Sequence, residues 1–536
     1  MMKRGRRVQY FVAFALSLAT ATLGVSSAWP TPVLPKFKKN ETDLTITEMM
    51  KRGRRVQYFV AFALSLATAT LGVSSAWPTP VLPKFKKNET DLTITENEIS
   101  TMMGLSAPGF LVGSLIASFI SDTFGRRTTV LLSAIPFTFG TFLAAVGKVA
   151  WMLYVTKFSW GFGTGMVSSV VTIYLAETSD SDIRATLSVS TRFMFNLGSL
   201  LITSVGAFMS YTTLNYSILV MPAIFFITCL FIPESPYYYL KEGKVDRARK
   251  SLLRLKDRDN VDNELKTLEA NVSKEMKNSS SIFELFRGKK YGRPITIALG
   301  LKITQIMTGT LTIQQYLGRI TEDIDRNMKL STHLIIFAAV KFVVGLITTV
   351  IADRVGRRPL LIYSYIATSV MLAISGTFFF LKEVIHLDDP TLHSIRYVPF
   401  SAIIASNVIS LMGFNSIIGI IQAEIFPINV RAHAMTSLNV LGGLLGFLVP
   451  KCYQGIINVS GYCGVFWVFS AVAITGAIFS YFVVPETKGK TLSEIQDLLQ
   501  IGVSVVPDDA SEKMCDIKIN EESLELMEQK KVNDIK

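Results

Sequence analysis

Long uncharged runs decide what this chain can become. Apolar stretches near residues 56–76, 103–120, 128–147, 151–174, 187–209, 215–232, 294–317, 332–351, 359–381, 397–423, 434–456 and 462–484 follow one another through most of its 536 residues. Each approaches the roughly 20 residues that a helix needs to cross a bilayer. Inside lipid a backbone must satisfy its own hydrogen bonds, so such runs fold as helices. The expectation is an all-α membrane protein with about twelve spans, in keeping with a chain that is 49% hydrophobic and 18% charged.

Charge orients these spans. The chain has 54 Lys and Arg against 41 Asp and Glu, a formal net charge of +13. Such a balance raises nucleic acid as a partner, but the cations lie in short clusters between apolar runs, where they set topology by remaining in the cytoplasm. With Lys51, Arg52, Arg54 and Arg55 inside, the Gly-Arg-Arg clusters at 125 and 356, the loop 233–293 and the C-terminal tail all fall on the same side. The partner implied is the lipid bilayer, with no nucleic acid. A multi-pass protein of the plasma membrane with both termini cytoplasmic is expected. Cys229, Cys452, Cys463 and Cys515 lack the paired spacing of a zinc site or disulfide scaffold. His333, His386, His393 and His433 lie at span ends or in loops without nucleophile or ligand spacing. No metal site, no cofactor and no enzymatic chemistry are predicted.

An exact tandem repeat opens the chain: Met1 to Glu48 recurs letter for letter as Met49 to Glu96. Working repeat arrays diverge and run to several units. A single perfect copy fits a recent duplication or a gene-model error, so residues 1–48 are expected to be a non-structural extra copy of the first span. If both copies spanned, Lys36, Lys38, Lys39 and the basic cluster at 51–55 would lie outside whenever Met1 lies inside, against the positive-inside rule. Reading from Met49 gives a first six-helix bundle over 49–232, a cytoplasmic loop over 233–293, a second six-helix bundle over 294–485 and a cytoplasmic tail over 486–536. Leu252, Leu255 and Leu265 sit near helical spacing, which predicts short amphipathic helices in the loop. Thr491 to Glu494 reads as a capping box opening a short helix through Leu499. Asn88-Glu89-Thr90, outside between the first two spans, is a glycosylation acceptor.

One span carries a polar seam. Lys302, Gln305, Gly309, Thr312 and Tyr316 recur at steps of three and four, which on a continuous helix share one face. A Lys at the centre of the hydrocarbon costs roughly 2.5 to 3.5 kcal/mol. The seam therefore faces a bundle interior or a watery cavity, and predicts a solute path.

The two halves echo each other. Ser121-Asp-Thr-Phe-Gly-Arg-Arg127 follows the second span and Ala352-Asp-Arg-Val-Gly-Arg-Arg358 the eighth; Glu177 precedes Arg184 by the same seven residues that separate Glu424 from Arg431. Pro233-Glu-Ser-Pro236 closes the sixth span and Pro485-Glu-Thr-Lys-Gly-Lys490 the twelfth. Asp122, Arg126, Arg127, Glu177, Arg184, Asp353, Arg357, Arg358, Glu424 and Arg431 are thus predicted to form charged networks of a cytoplasmic gate, since arginines bind carboxylates bidentately. These motifs, with Lys157 before Gly161, resemble the sugar porter family of the major facilitator superfamily. Gly72-Val-Ser-Ser-Ala-Trp-Pro-Thr-Pro80 and Asp91-Leu-Thr-Ile-Thr95 are similar to insect facilitated trehalose transporters within it. The resemblance covers roughly 49–500. It implies two six-helix bundles of the major facilitator fold, a central sugar site and alternating openings.

The site departs from the family's pattern. The seventh span reads Gln305-Ile-Met-Thr-Gly309-Thr-Leu311 and then Gln315-Tyr316, so one usual glutamine is Ile306 and the usual asparagine Leu311. Arg192 replaces a Gln in the fifth span and Lys341 an Asn in the eighth; the tenth offers Asn415-Ser-Ile-Ile-Gly419, and the eleventh has Gly442-Gly443 for Asn-Trp. Sugars are held by amides and aromatic faces, whereas a pocket with Arg192, Lys302 and Lys341 suits a carboxylate or phosphate. The first span, Val56 to Trp77, lacks the carboxylate of the family's proton-coupled members. The primary expectation is a facilitative transporter of trehalose or hexose. An organic anion carrier on the same fold and a non-transporting nutrient sensor are the alternatives.

Overall fold

The computed structural model describes residues 41–86, 94–256, 261–277, 291–324, 330–354, 356–387, 394–395, 397–426, 428–488, 494–495 and 499. Within these, the side chains of 41–54, Asp353 and Arg431 are among those left out. Residues 1–40, Asn88 and the expected capping residues 491–493 lie outside the described residues.

Among the described residues the structure is helical throughout, without strands. The first half comprises α1 (Glu41–Ala76), α2 (Pro78–Lys86), α3 (Glu96–Gly104), α4 (Ser106–Phe124), α5 (Arg126–Val146), α6 (Ala150–Thr178), α7 (Ser181–Gly206) and α8 (Tyr211–Cys229). Three short helices follow: α9 (Pro236–Lys241), α10 (Val245–Lys256) and α11 (Asp262–Lys277). The second half comprises α12 (Gly292–Met307), α13 (Thr310–Ile324), α14 (Leu330–Arg354), α15 (Arg357–Glu383), α16 (Tyr397–Met412), α17 (Phe414–Ile425) and α18 (Ile428–Val483), which consists of two helices joined at Gly461. Seven helical stretches among the described residues are long and apolar enough to cross a membrane. Helix α1 begins in the first copy of the repeat, at Glu41. No proline or glycine separates that point from Lys51, so nothing in the backbone stops the helix at the duplication boundary.

Since lipid is as apolar as a leucine side chain, close packing and hydrogen bonds must hold the helices together. The contact of α4 with α6 shows how. A Cβ on Gly109 or Gly113 would stand 2.3 or 2.1 Å from the carbonyl oxygens of Phe158 and Phe162, and one on Gly161 or Gly165 would stand 2.0 or 2.2 Å from those of Ser106 and Phe110. Two small-xxx-small seams thus face each other, and any larger residue would push the backbones apart. Trp77, fully buried at the end of α1, donates to Asn215 Oδ1 at 2.8 Å and packs edge-on against Trp160 at 5.2 Å. The buried Lys157 places its Nζ over both rings, at 5.1 and 5.4 Å, a cation–π arrangement that suits a charge taken out of water.

The described residues of the loop between the halves include the three short helices α9 to α11. Leu252 and Leu265 join Leu240, Ala248 and Val261 in a small core of α9 to α11, while Leu255 packs toward α1, where its carbonyl accepts from Gln57 at 3.4 Å. Helices of each half pack chiefly on one another. Across the halves α14 meets α7, α13 meets α2, and α18 meets α3 and α4.

Candidate functional site

The expected span 294–317 is not one helix. Gly309 adopts φ +70 and separates α12 from α13; that conformation is accessible to glycine and strained for other residues. A Cβ there would also stand 2.3 Å from Phe469 Cζ. The break undoes the single face on which the seam was drawn, because residues on either side of it no longer share one helical phase.

A cavity of about 290 Å³ opens beside this break. One wall is Met103, Ser106, Ala107 and Phe110, from α3 and α4; the other holds Lys302, Gln305, Thr312, Gln315, Asn415 and Asn439, from the second half. Gln305 donates to Asn415 Oδ1 at 3.2 Å, and Asn415 donates to Thr310 Oγ1 at 3.4 Å, so the amides hold each other in place. Lys302 runs along Gly442, whose absent Cβ would lie 2.9 Å from Lys302 Cε. The glycine that replaces the family's usual residue makes room for the lysine.

Of the predicted binding residues, Lys302, Gln305 and Thr312 line the cavity. Gly309 shapes the break without lining it. Tyr316 is buried against Tyr453, ring centroids 4.5 Å apart, because the break turns it away from Gln305. Lys341 is bound to Gln314 Oε1 at 2.7 Å and stands outside the lining. Arg192 is exposed; its α7 neighbours Phe193 and Leu197 carry the packing against Phe342. The expected three-cation pocket thus reduces to one lysine. Asn439 and Ser106 are polar lining residues that sequence reasoning missed. Asn439, Gly442, Gly446 and Pro450 recur at steps of three and four, the same signal that singled out Lys302 and Gln305.

At one end of the helices the motif residues form two matching clusters. In the first half Arg126 donates from Nε to Glu177 at 3.1 and 3.3 Å and from Nη1 to Ser121 O at 2.8 Å, and it pairs with Asp122 at 3.5 Å. Glu234 accepts from the backbone N–H groups of Arg126, at 2.9 Å, and of Arg127, at 3.1 Å. In the second half Arg357 faces Glu424 at 3.6 Å, and Glu486 accepts from the N–H groups of Arg357 and Arg358 at 3.0 and 3.1 Å. Each Pro-Glu motif therefore caps the helix that its own half's Gly-Arg-Arg opens, where unpaired N–H groups and the helix dipole favour an anion. Gly125 and Gly356 leave the space: a Cβ would stand 2.4 Å from a Glu234 oxygen in one and 2.8 Å from a Glu486 oxygen in the other. Burial raises the Glu486 carboxyl, but the N–H groups of Lys488, Arg358, Arg357 and Thr487 outweigh it and hold the group below its ordinary value. At the more enclosed Glu234, burial wins and the carboxyl lies above it. Arg127 donates to the Leu230 and Cys229 carbonyls, and Arg358 to that of Tyr481. Arg184 is exposed and donates to Ser179 O at 3.2 Å rather than pairing with Glu177, seven residues before it. The side chains of Asp353 and Arg431 are outside the described ones.

The opposite end is where charge crosses between halves. Glu96, at the start of α3, pairs with Arg319 of α13. Lys86, at the end of α2, pairs with Asp323 at 2.5 Å, and Asp323 also accepts from Tyr462 at 2.7 Å. Lys451 donates to Thr101 Oγ1 at 2.6 Å, and Thr79 to the Gln314 carbonyl at 3.1 Å. The pairs Arg126–Asp122, Arg126–Glu177 and Arg357–Glu424, by contrast, each join residues of a single half.

A cavity shared by two halves of long apolar helices and carrying a few converging amides, with charged clusters at both ends, is the architecture of a membrane transporter. The chain belongs to the sugar transporter family: the model for "Sugar (and other) transporter" matches residues 56–499. It is 30% identical over 408 residues to the facilitated trehalose transporter Tret1 of Bombyx mori, covering 76% of this chain and 80% of that one. It is 31% identical over 390 residues to Tret1 of Drosophila mojavensis, covering 72% of this chain and 44% of that longer protein. The inward-open structure of the xylose transporter XylE from E. coli superposes with a TM-score of 0.67 at 17% identity, over 82% of this chain and 99% of that one, a likeness of fold. The family is one of transporters, not enzymes.

Proposed function

We propose that the chain carries a hexose or trehalose across the plasma membrane by facilitative alternating access, in twelve spans forming two six-helix bundles, with the Arg126 end cytoplasmic. The cavity carries this reading: it lies between the halves, and Gln305, Gln315, Asn415 and Asn439 offer both donors and acceptors to sugar hydroxyls. The cross-half pairs Glu96–Arg319 and Lys86–Asp323 form an outer latch, and the clusters around Arg126 and Arg357 anchor the cytoplasmic helix ends within each bundle. Opening then rocks one bundle against the other about the cavity, exchanging the latch for access. Residues 1–48 are dispensable in this reading, and Asn88 is an external glycosylation site.

Uptake of labelled glucose and trehalose into proteoliposomes that hold the purified full chain tests the proposal. Saturable uptake of either sugar, exchange-stimulated and independent of a proton gradient, is expected. Absence of uptake from correctly folded protein would refute it.

A further inference from the structure

We infer that the cavity prefers the acid form of a hexose, a hexuronate, over the neutral sugar. This rests on the sugar-carrier reading and concerns its substrate class. The residues lining the cavity include several amides, the hydroxyls of Ser106 and Thr312, and one formal charge, that of Lys302; no acidic residue is among them. No hydrogen bond or ion pair joins Lys302 to another described residue. The other two cations considered from sequence do not alter this balance, since Lys341 is engaged by Gln314 and Arg192 is exposed.

That composition discriminates between ligand classes. Amides can satisfy the hydroxyls of any sugar, but the half-buried ammonium of Lys302, lying along Gly442 in the cavity wall, has no counter-charge among the lining residues. A neutral sugar leaves that charge uncompensated, whereas a single carboxylate neutralises it through a charge-assisted hydrogen bond. Two or more negative charges on the ligand would exceed what one lysine balances. The complementary ligand is therefore a polyol ring with one carboxylate, and Lys302 is the specificity-determining residue.

Competition against labelled glucose in proteoliposomes of the full chain tests this, with glucuronate, unlabelled glucose and propionate as competitors. Glucuronate should compete at concentrations about tenfold below glucose, while propionate, which lacks the ring hydroxyls, should not compete. An inside-positive potential should speed glucuronate uptake and leave glucose uptake unchanged. K302Q should abolish the preference, glucuronate and glucose then competing at similar concentrations, and K302R should retain it. Glucose uptake in which glucuronate competes no better than glucose, or a preference that survives K302Q, overturns the inference and spares the sugar-carrier reading. If K302Q does not fold, the competition and potential measurements on the natural chain decide alone. Loss of all uptake, glucose included, in the folded natural protein overturns both.

Discussion

Replacing Glu96 by Gln should release the latch that joins the halves at the end opposite Arg126, the outer end in the proposed orientation. The Arg319 side chain is 9% exposed and that of Glu96 50%, so the pair lies between two regimes. Fully exposed pairs contribute about 0.2–1 kcal/mol, and removing one partner of a fully buried pair costs about 3–5 kcal/mol. An intermediate loss of about 1–2 kcal/mol shifts the latched population by a factor of roughly 5–30. The Lys86–Asp323 pair is more open, at 39% and 26%, so D323N should shift the balance less, by about 0.5–1 kcal/mol. A reporter cysteine at Thr312, a cavity-lining position, in a background where the exposed Cys452 is serine, converts that population into a labelling rate.

An impermeant maleimide added outside should label E96Q roughly 5–30 times faster than the parent, with D323N between them. Salt gives an internal control. Raising ionic strength from 0.15 to 1 M shortens the screening length from about 8 to about 3 Å, so the difference between parent and variants should narrow. Equal labelling of parent, E96Q and D323N, or a gain confined to reagent applied from the cytoplasmic side, would refute the latch.

G309A should lower stability in detergent by about 2 kcal/mol or more, since it combines a strained positive φ with a clash against Phe469; a fall in apparent melting temperature reads this out. Q305A should cost about tenfold in kcat/KM for sugar uptake, the loss of one net hydrogen bond of about 1.4 kcal/mol in a site where Gln305 also holds Asn415. Glu486 gives a pH dependence. Its folded pKa lies below the ordinary value, so its stabilisation is full above about pH 4.3 and is lost as pH falls through the folded pKa. E486Q should therefore melt about 2–4 °C lower at pH 7, and the two proteins should converge on acidification; a constant difference down to pH 3 would show that the carboxylate charge is not what holds α15.

Sequence alone determined the class of this protein and much of its plan. Long runs of apolar residues fold as helices in lipid. The paired motifs at 121–127 and 352–358 marked residues that do cluster at one end. Those features are legible because they depend on local composition and on spacing within one helix. The tertiary structure decided what spacing could not. Whether Lys302, Gln305 and Tyr316 face one cavity depends on the phase of two helices, and the positive φ of Gly309 changes that phase. Arg192 and Lys341 looked equivalent to Lys302 as isolated cations in apolar spans, yet one is exposed and one bound to Gln314. The carboxylate that caps the Gly125 helix comes from residue 234, and the partner of Glu96 is Arg319. Contacts between residues so distant in sequence leave no periodic trace along the chain; only the packing of one helix on another brings them together.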